Sequence, residues 1–364
     1  MHKTSAWPLA IVYAGLIVYA SLFPFADWRY QGIMPWGYLW QPLPKYWTGA
    51  DVAINMVGYA PFGFLLALAS LRTGRGRNAV IMATLAAAAV SGLMEALQSY
   101  LPARVPSNVD FALNVAGAWV GAVIAKLLER MGAISRWGRL RDRWFVADAR
   151  TALVLLALWP VALLFPVAVP LGLGQVLERL EPALAEFLLD TPFLDWLPVR
   201  EVELQPLVPL GEMLCVMLGA LIPCLVGHSI ITSASRRVFF TFLVVGVGTA
   251  VTALSWALSY GPANAWGWFE LPAQVGLAAA LILSLGMATL PQRINAAVVL
   301  LALGIYLSVL NQAPASPYFA QTLHSWEQGR FIRFNGLAQW LGWLWPYATL
   351  VYVLATMWKR GPQN

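Results

Sequence analysis

Charge is what this chain has least of. Asp, Glu, Lys and Arg make up 11% of its 364 residues, against roughly 25% in an average soluble domain, while 60% are hydrophobic and the mean hydropathy is +0.66. That composition excludes an ordinary soluble globular domain. Histidine is also scarce: His2, His228 and His324 are far apart, so no group has metal-ligand spacing and neither a zinc centre nor another cofactor is expected. Only two cysteines occur, Cys215 and Cys224, nine residues apart in one apolar run. At about 100° per residue they point to opposite sides of a helix and cannot pair with each other. Segments of strict apolar–polar alternation are missing as well, which excludes a membrane β-barrel.

What is present is a series of long apolar runs. They fall near 7–23, 52–71, 78–100, 109–128, 151–173, 207–230, 238–260, 270–291, 294–312 and 335–357. Helices of this length cross about 30 Å of hydrocarbon at about 1.5 Å per residue. The expected fold class is all-α: a polytopic integral membrane helical bundle of about ten transmembrane helices with both termini cytoplasmic. The first run also reads as a signal peptide, with Val18-Tyr19-Ala20 before Ser21 as a weak cleavage pattern. Counting it as a span makes every later loop obey the positive-inside rule. Sixteen of the 23 Lys and Arg residues then lie on the cytoplasmic side, and Arg29, Lys45, Arg104, Arg179, Arg200, Arg330 and Arg333 lie outside. The net charge of +6 therefore encodes topology, and no nucleic-acid partner is expected.

Three parts follow: a four-helix membrane unit over 1–128, a basic cytoplasmic linker over 129–150 and a six-helix unit over 151–364. The linker arginines anchor topology or meet anionic headgroups. Two outer segments stand out. Residues 28–47 are dense in Trp and Tyr, as at a membrane interface, and 175–189 place Leu177, Leu180, Leu184, Phe187 and Leu188 on one helical face, suited to lying on the outer leaflet.

The polar residues of the apolar runs concentrate between Asp51 and Gly121. Thr48-xx-Asp51-x-Ala53-x-Asn55-xx-Gly58 aligns with Ser107-xx-Asp110-x-Ala112-x-Asn114-xx-Gly117, at the outer ends of two spans that run in the same direction. The match suggests a duplicated helical hairpin. Asp and Asn at i, i+4 share a face, and Gly58, Gly117 and Gly121 are positioned to let another helix approach. Capping by Thr48 with Asp51 and by Ser107 with Asp110 explains the acids, but not the amides one turn deeper, which need polar partners. Glu95 lies about five residues, roughly 7 Å, inside the outer end of the third span. Gln98 is on its face and Arg104 in the next loop. Asp51, Asn55, Glu95, Gln98, Arg104, Asp110 and Asn114 are thus expected to form an outer-leaflet polar pocket, with a structural ion-pair network as the alternative.

Over residues 48–121, DVAINMVGYAPFG from Asp51, Glu95-xx-Gln98, Pro102-Ala103-Arg104 and Ser107-xx-Asp110-xxx-Asn114-xx-Gly117-xxx-Gly121 resemble the VanZ-like family of bacterial membrane proteins. The resemblance implies the bacterial cytoplasmic (inner) membrane and a cell-envelope role. The family prototype is associated with antibiotic resistance, to teicoplanin, a lipidated glycopeptide.

In the C-terminal part Glu212, His228 and Glu270 sit near helix ends, where snorkelling or capping is expected. Arg330 and Arg333, among the aromatics of 326–345, are an accessory candidate for holding a phosphate or carboxylate, or simply part of an aromatic belt. Three functions fit these patterns. One is lipid binding, with an amphipathic or lipid-linked molecule as ligand and membrane lipids as partners; the others are acid/base catalysis on a lipid headgroup and secondary transport. The residues do not decide whether the protein is an enzyme. The orientation is testable by reporter fusion: a fluorescent protein inserted after Gly132 is expected to fold and fluoresce, and alkaline phosphatase inserted at the same point to stay inactive.

Overall fold

A computed structural model describes the chain except for residues 1–3, 5, 24, 26, 44–48, 75, 166, 197–203, 315–331 and 360–364. Side chains of 50, 51, 179, 195, 332–337 and 359 are likewise outside the described set. Among the described residues the chain is all-helical: α1 Ala6–Leu22, α2 Gly49–Arg72, α3 Ala79–Gln98, α4 Asn108–Arg130, α5 Ala133–Trp144, α6 Arg150–Ala162, α7 Leu177–Leu188, α8 Pro209–His228, α9 Ala234–Tyr260, α10 Leu271–Met287, α11 Gln292–Leu310 and α12 Ile332–Lys359. Six of these, α2, α3, α4, α8, α9 and α11, are long and apolar enough to cross a membrane. The chain divides into two compact units, 1–142 and 143–364.

In the first unit α2 and α4 form the central pair, α3 packs on both, and α1 packs on α2 and α3. Burying Leu against lipid gains nothing when the tails are equally apolar, so association relies on close packing of small residues. The unit follows that rule. Ala67, Ala83, Ala122 and Ala125 fill one end of the interface, and Tyr59, Phe62, Met94 and Leu101 the other. At three points the α2 and α4 backbones meet with no room for a side chain. A Cβ on Gly117 would lie 2.2 Å from the Met56 carbonyl oxygen, one on Gly121 1.9 Å from that of Ala60, and one on Gly63 2.0 Å from that of Ala118. Gly58, expected on this seam, has nothing within 4 Å of its Cβ position. Its carbonyl instead accepts from the Tyr13 hydroxyl at 2.8 Å. The two halves of the sequence repeat therefore play different parts, because α4 meets α2 slightly further along than the alignment implies.

In the second unit α8 is the buried axis, packed by α10, α11, α9 and α6, and α6 packs on α12. The apolar run at 151–173, expected as one span, is broken. Its helix stops at Ala162, about 20 Å long at 1.5 Å per residue, with Pro160 inside its last turn. Irregular backbone is tolerated at this depth only when its polar groups find partners inside the protein. They do: the Ser255 hydroxyl donates to Leu164 O at 2.9 Å, Tyr306 Oη to Leu171 O at 2.7 Å, and Asn311 accepts from the Val176 and Leu177 N–H groups at 3.1 Å. A cavity of about 640 Å³, lined in part by Leu177, Leu207, Leu307, Ser308 and Gln312, lies beside this segment.

Two residues of this unit, His228 and Trp345, depart from their sequence readings. His228, expected at an accessible helix end, is fully buried with Nε2 3.0 Å from Thr241 Oγ1. Arg237 is buried as well, donating to the carbonyls of Ile231, Ala288 and Leu290, which closes the ends of α8 and α10. Trp345, counted with the aromatic belt, is buried and donates to Leu155 O at 2.7 Å. Cys215 and Cys224 are both free and buried.

The α2/α4 seam yields a paired prediction. Gly121→Ala is expected to force the backbones apart and cost about 2 kcal/mol or more, read as a lower thermal midpoint in detergent. Gly58→Ala, with open space around it, is expected to leave the midpoint unchanged.

Candidate functional site

The helix that carries most of the polar positions starts with a modified cap. Ser107 is the N-cap of α4, and its hydroxyl accepts the Asp110 N–H at 3.3 Å. In a capping box the third helical residue would return a bond to the Ser107 N–H. Here that N–H donates to Glu95 Oε2 at 2.8 Å, from the neighbouring helix α3. The substitution has two effects. It places a buried carboxylate, 4% exposed, at the positive end of α4. It also releases the Asp110 carboxylate, which accepts from the Asn55 amide of α2 at 2.7 Å.

One turn deeper, the Asn114 amide donates to the Ser91 hydroxyl at 3.0 Å, and both residues are buried. Asn114 Oδ1 has no hydrogen-bond partner among the described residues, nor has the buried Tyr59 hydroxyl, which lies beside Ser91 outside bonding geometry. Glu95 lies near enough to Asp110 and Tyr59 to act on both electrostatically. The cluster is thus two rungs across α3 and α4, Glu95 with Ser107 and Asp110 above, Ser91 with Asn114 below, closed on one side by Asn55 and Tyr59 of α2.

Gln98 and Arg104 face elsewhere. The Gln98 amide donates to Ser21 O at 3.0 Å, and the Arg104 guanidinium donates to Phe23 O at 2.6 and 3.1 Å and to Ala20 O at 3.2 Å. These are carbonyls at the C-terminal end of α1, where a cation also meets the negative end of the helix. So Asn55, Glu95, Asp110 and Asn114 come together, while Gln98 and Arg104 fasten α1 alongside them. Asp51 is in the first turn of α2, with its side chain outside the described residues; Arg333 is in the first turn of α12 under the same limit, and Arg330 lies outside the described residues altogether.

Residues 7–129 match the VanZ/LLP1 family model. This part of the chain is a VanZ-like domain. The match takes in α1 to α4 and ends at the last turn of α4, so the polar cluster belongs wholly to the VanZ-like domain. None of the curated proteins and none of the solved structures matches the chain.

Sequence reasoning passed over Ser91, Tyr59 and Tyr38 in this domain. Ser91 precedes Glu95 by one helical turn, the spacing that puts both on one face, but a lone serine in an apolar run carries little signal. Tyr38 belongs to a segment read as interfacial aromatics. It is buried against α3, its hydroxyl 3.4 Å from Gly92 O, and its ring meets Phe111 edge-on. Burial, with the Glu95 carboxylate adding to it, pushes the Tyr38 phenol above its usual range, so this hydroxyl stays protonated over the physiological span. The Asn55–Asp110 pair is open to a double-mutant cycle. Asn55→Ala, Asp110→Ala and the double variant are expected to give a coupling of about 1 kcal/mol in unfolding titrations, the range of interhelical bonds within membranes.

Proposed function

We propose that the VanZ-like domain binds the polar head of an amphipathic or lipid-linked molecule at the outer leaflet of the bacterial inner membrane, while its helices present an apolar wall to the tail. The observation that carries this reading is the buried Glu95 carboxylate beside an Asn114 carbonyl oxygen that lacks a donor among the described residues. A carboxylate within apolar helices costs a few kcal/mol, and sites that retain one serve function by default. The charged groups of the cluster itself, Glu95 and Asp110, are both acidic. Arg104, expected in the polar pocket, is held on α1 carbonyls, so a head rich in hydrogen-bond donors suits the cluster better than a bare phosphate.

In this reading the chain is a multi-pass bundle of about ten spans with both termini cytoplasmic, the broken α6 segment completing one crossing by its irregular continuation. The cluster then lies near the outer ends of α2, α3 and α4. Placed there, it faces the outer leaflet, the side from which a lipidated antibiotic arrives, which accords with the glycopeptide resistance implied by the family resemblance.

Glu95→Gln tests the reading, because a glutamine carbonyl still accepts the Ser107 N–H and the fold is retained. Lipids that co-purify with wild type and with this variant are compared by mass spectrometry, alongside growth in teicoplanin. Loss of a specific bound lipid, with a drop in resistance of about tenfold for one lost charge-assisted bond, is expected. Unchanged lipids and unchanged resistance in a folded variant would overturn it.

A further inference from the structure

The short helix α5 carries four arginines and a single acid in its twelve residues. Within Ala133–Trp144 no residue is buried, and Trp137 and Leu140 are 55% and 45% exposed. Trp137, Leu140 and Trp144 recur at i, i+3 and i+7 on one face, and Arg136, Arg139 and Arg143 recur with the same spacing beside it. Arg141 flanks the apolar face on its other side and pairs with Asp142 at 3.0 Å, the one acid of the helix. A helix with a Trp/Leu face bordered by arginines is the pattern that lies in a headgroup plane.

The structure also fixes where α5 sits. The spanning helix α4 ends at Arg130, and Gly132, at a φ of +71°, turns the chain so sharply that α5 starts at Ala133. Arg72, in the last turn of α2, then donates to Ile134 O at 2.7 Å. One turn on, Gly138 leaves room for the same guanidinium, whose Nη1 would be 3.3 Å from a Cβ there. Two successive turns of α5 thus pass over the end of α2, and the helix is held at the level where the candidate spans α2 and α4 end.

We propose that α5 is an in-plane binding element for anionic phospholipid headgroups, seating Trp137 and Leu140 in the bilayer boundary and setting Arg136, Arg139 and Arg143 against lipid phosphates. Charge complementarity selects the occupant: three unpaired-face arginines in three turns attract an anionic leaflet, each contributing appreciably near such a surface and falling off within a Debye length. Arg72 positions the helix and is not itself a headgroup ligand. The inference stands apart from the Glu95 cluster, which lies at the opposite end of α2 and α4.

The test uses the full chain in nanodiscs of phosphatidylcholine alone and of phosphatidylcholine mixed with phosphatidylglycerol, with amide hydrogen exchange read over 133–144. Exchange about tenfold slower in the phosphatidylglycerol discs is expected, reversed by high salt and abolished in Arg136→Gln/Arg139→Gln/Arg143→Gln. Glu95→Gln is expected to keep the protection, which separates this inference from the proposed outer-leaflet function. Equal exchange in both disc types, or protection that appears only with an added acidic polypeptide, would overturn it. Should the triple variant fail to fold, the comparison between disc types and the salt dependence in the wild type decide the matter by themselves.

Discussion

The contact on which the first unit depends is the one between the bare backbones of α2 and α4. Gly63, Gly117 and Gly121 bring carbonyl oxygens to within about a side chain's reach of the opposing Cα atoms. In hydrocarbon this closeness replaces the hydrophobic drive that would hold the helices in water. It has a further consequence for polar chemistry. Only because α2 and α4 run so near each other can the short Asn55 amide span to Asp110 at 2.7 Å. A seam built of Leu would hold the axes apart and deprive these two half-buried groups of each other.

Glu95 extends that logic to the third helix. By accepting the Ser107 N–H it ties α3 to the start of α4, and it takes over the role that Asp110 would fill in a self-contained capping box. Asp110 is thereby available to α2. The three helices are linked in a cycle, α3 to α4 through the cap and α4 to α2 through the amide, and the same carboxylates that close the cycle define the proposed binding chemistry. Stability and the proposed function share residues here, which is why the amide replacement of Glu95, keeping the bond and removing the charge, is more informative than a truncation.

The second unit solves a related problem by different means. Its α6 segment leaves the helical path after Ala162, and side chains from α9 and α11 satisfy the freed backbone groups. The run of apolar residues from 151 to 173 contains no mark of this beyond its prolines. Hydropathy records that a segment prefers lipid or protein to water, and it is silent on whether the backbone inside is regular. Likewise His228 reads as a helix-end group suited to snorkelling or capping, yet it lies inside alongside Arg237, because neighbouring segments supply carbonyls and a hydroxyl within 3.3 Å.

Much was nevertheless legible from composition and periodicity. The all-helical character, the positions of the long apolar helices other than α6, the glycine seam at Gly117 and Gly121 and the grouping of Asn55, Glu95, Asp110 and Asn114 follow from local properties: apolar run length, i to i+4 spacing and the scarcity of charge. Partner choice does not. Arg104 and Gln98 share the loop and helix end of Glu95, and only the placement of α1 directs them to its C-terminal carbonyls. Gly58 and Gly117 occupy equivalent places in the repeat, and only the stagger of two packed helices makes one a contact and leaves the other open. Sequence determines which groups must find a partner, since desolvation is a property of each residue; which partner they find depends on how separate helices are set against one another, and that is decided by the tertiary structure.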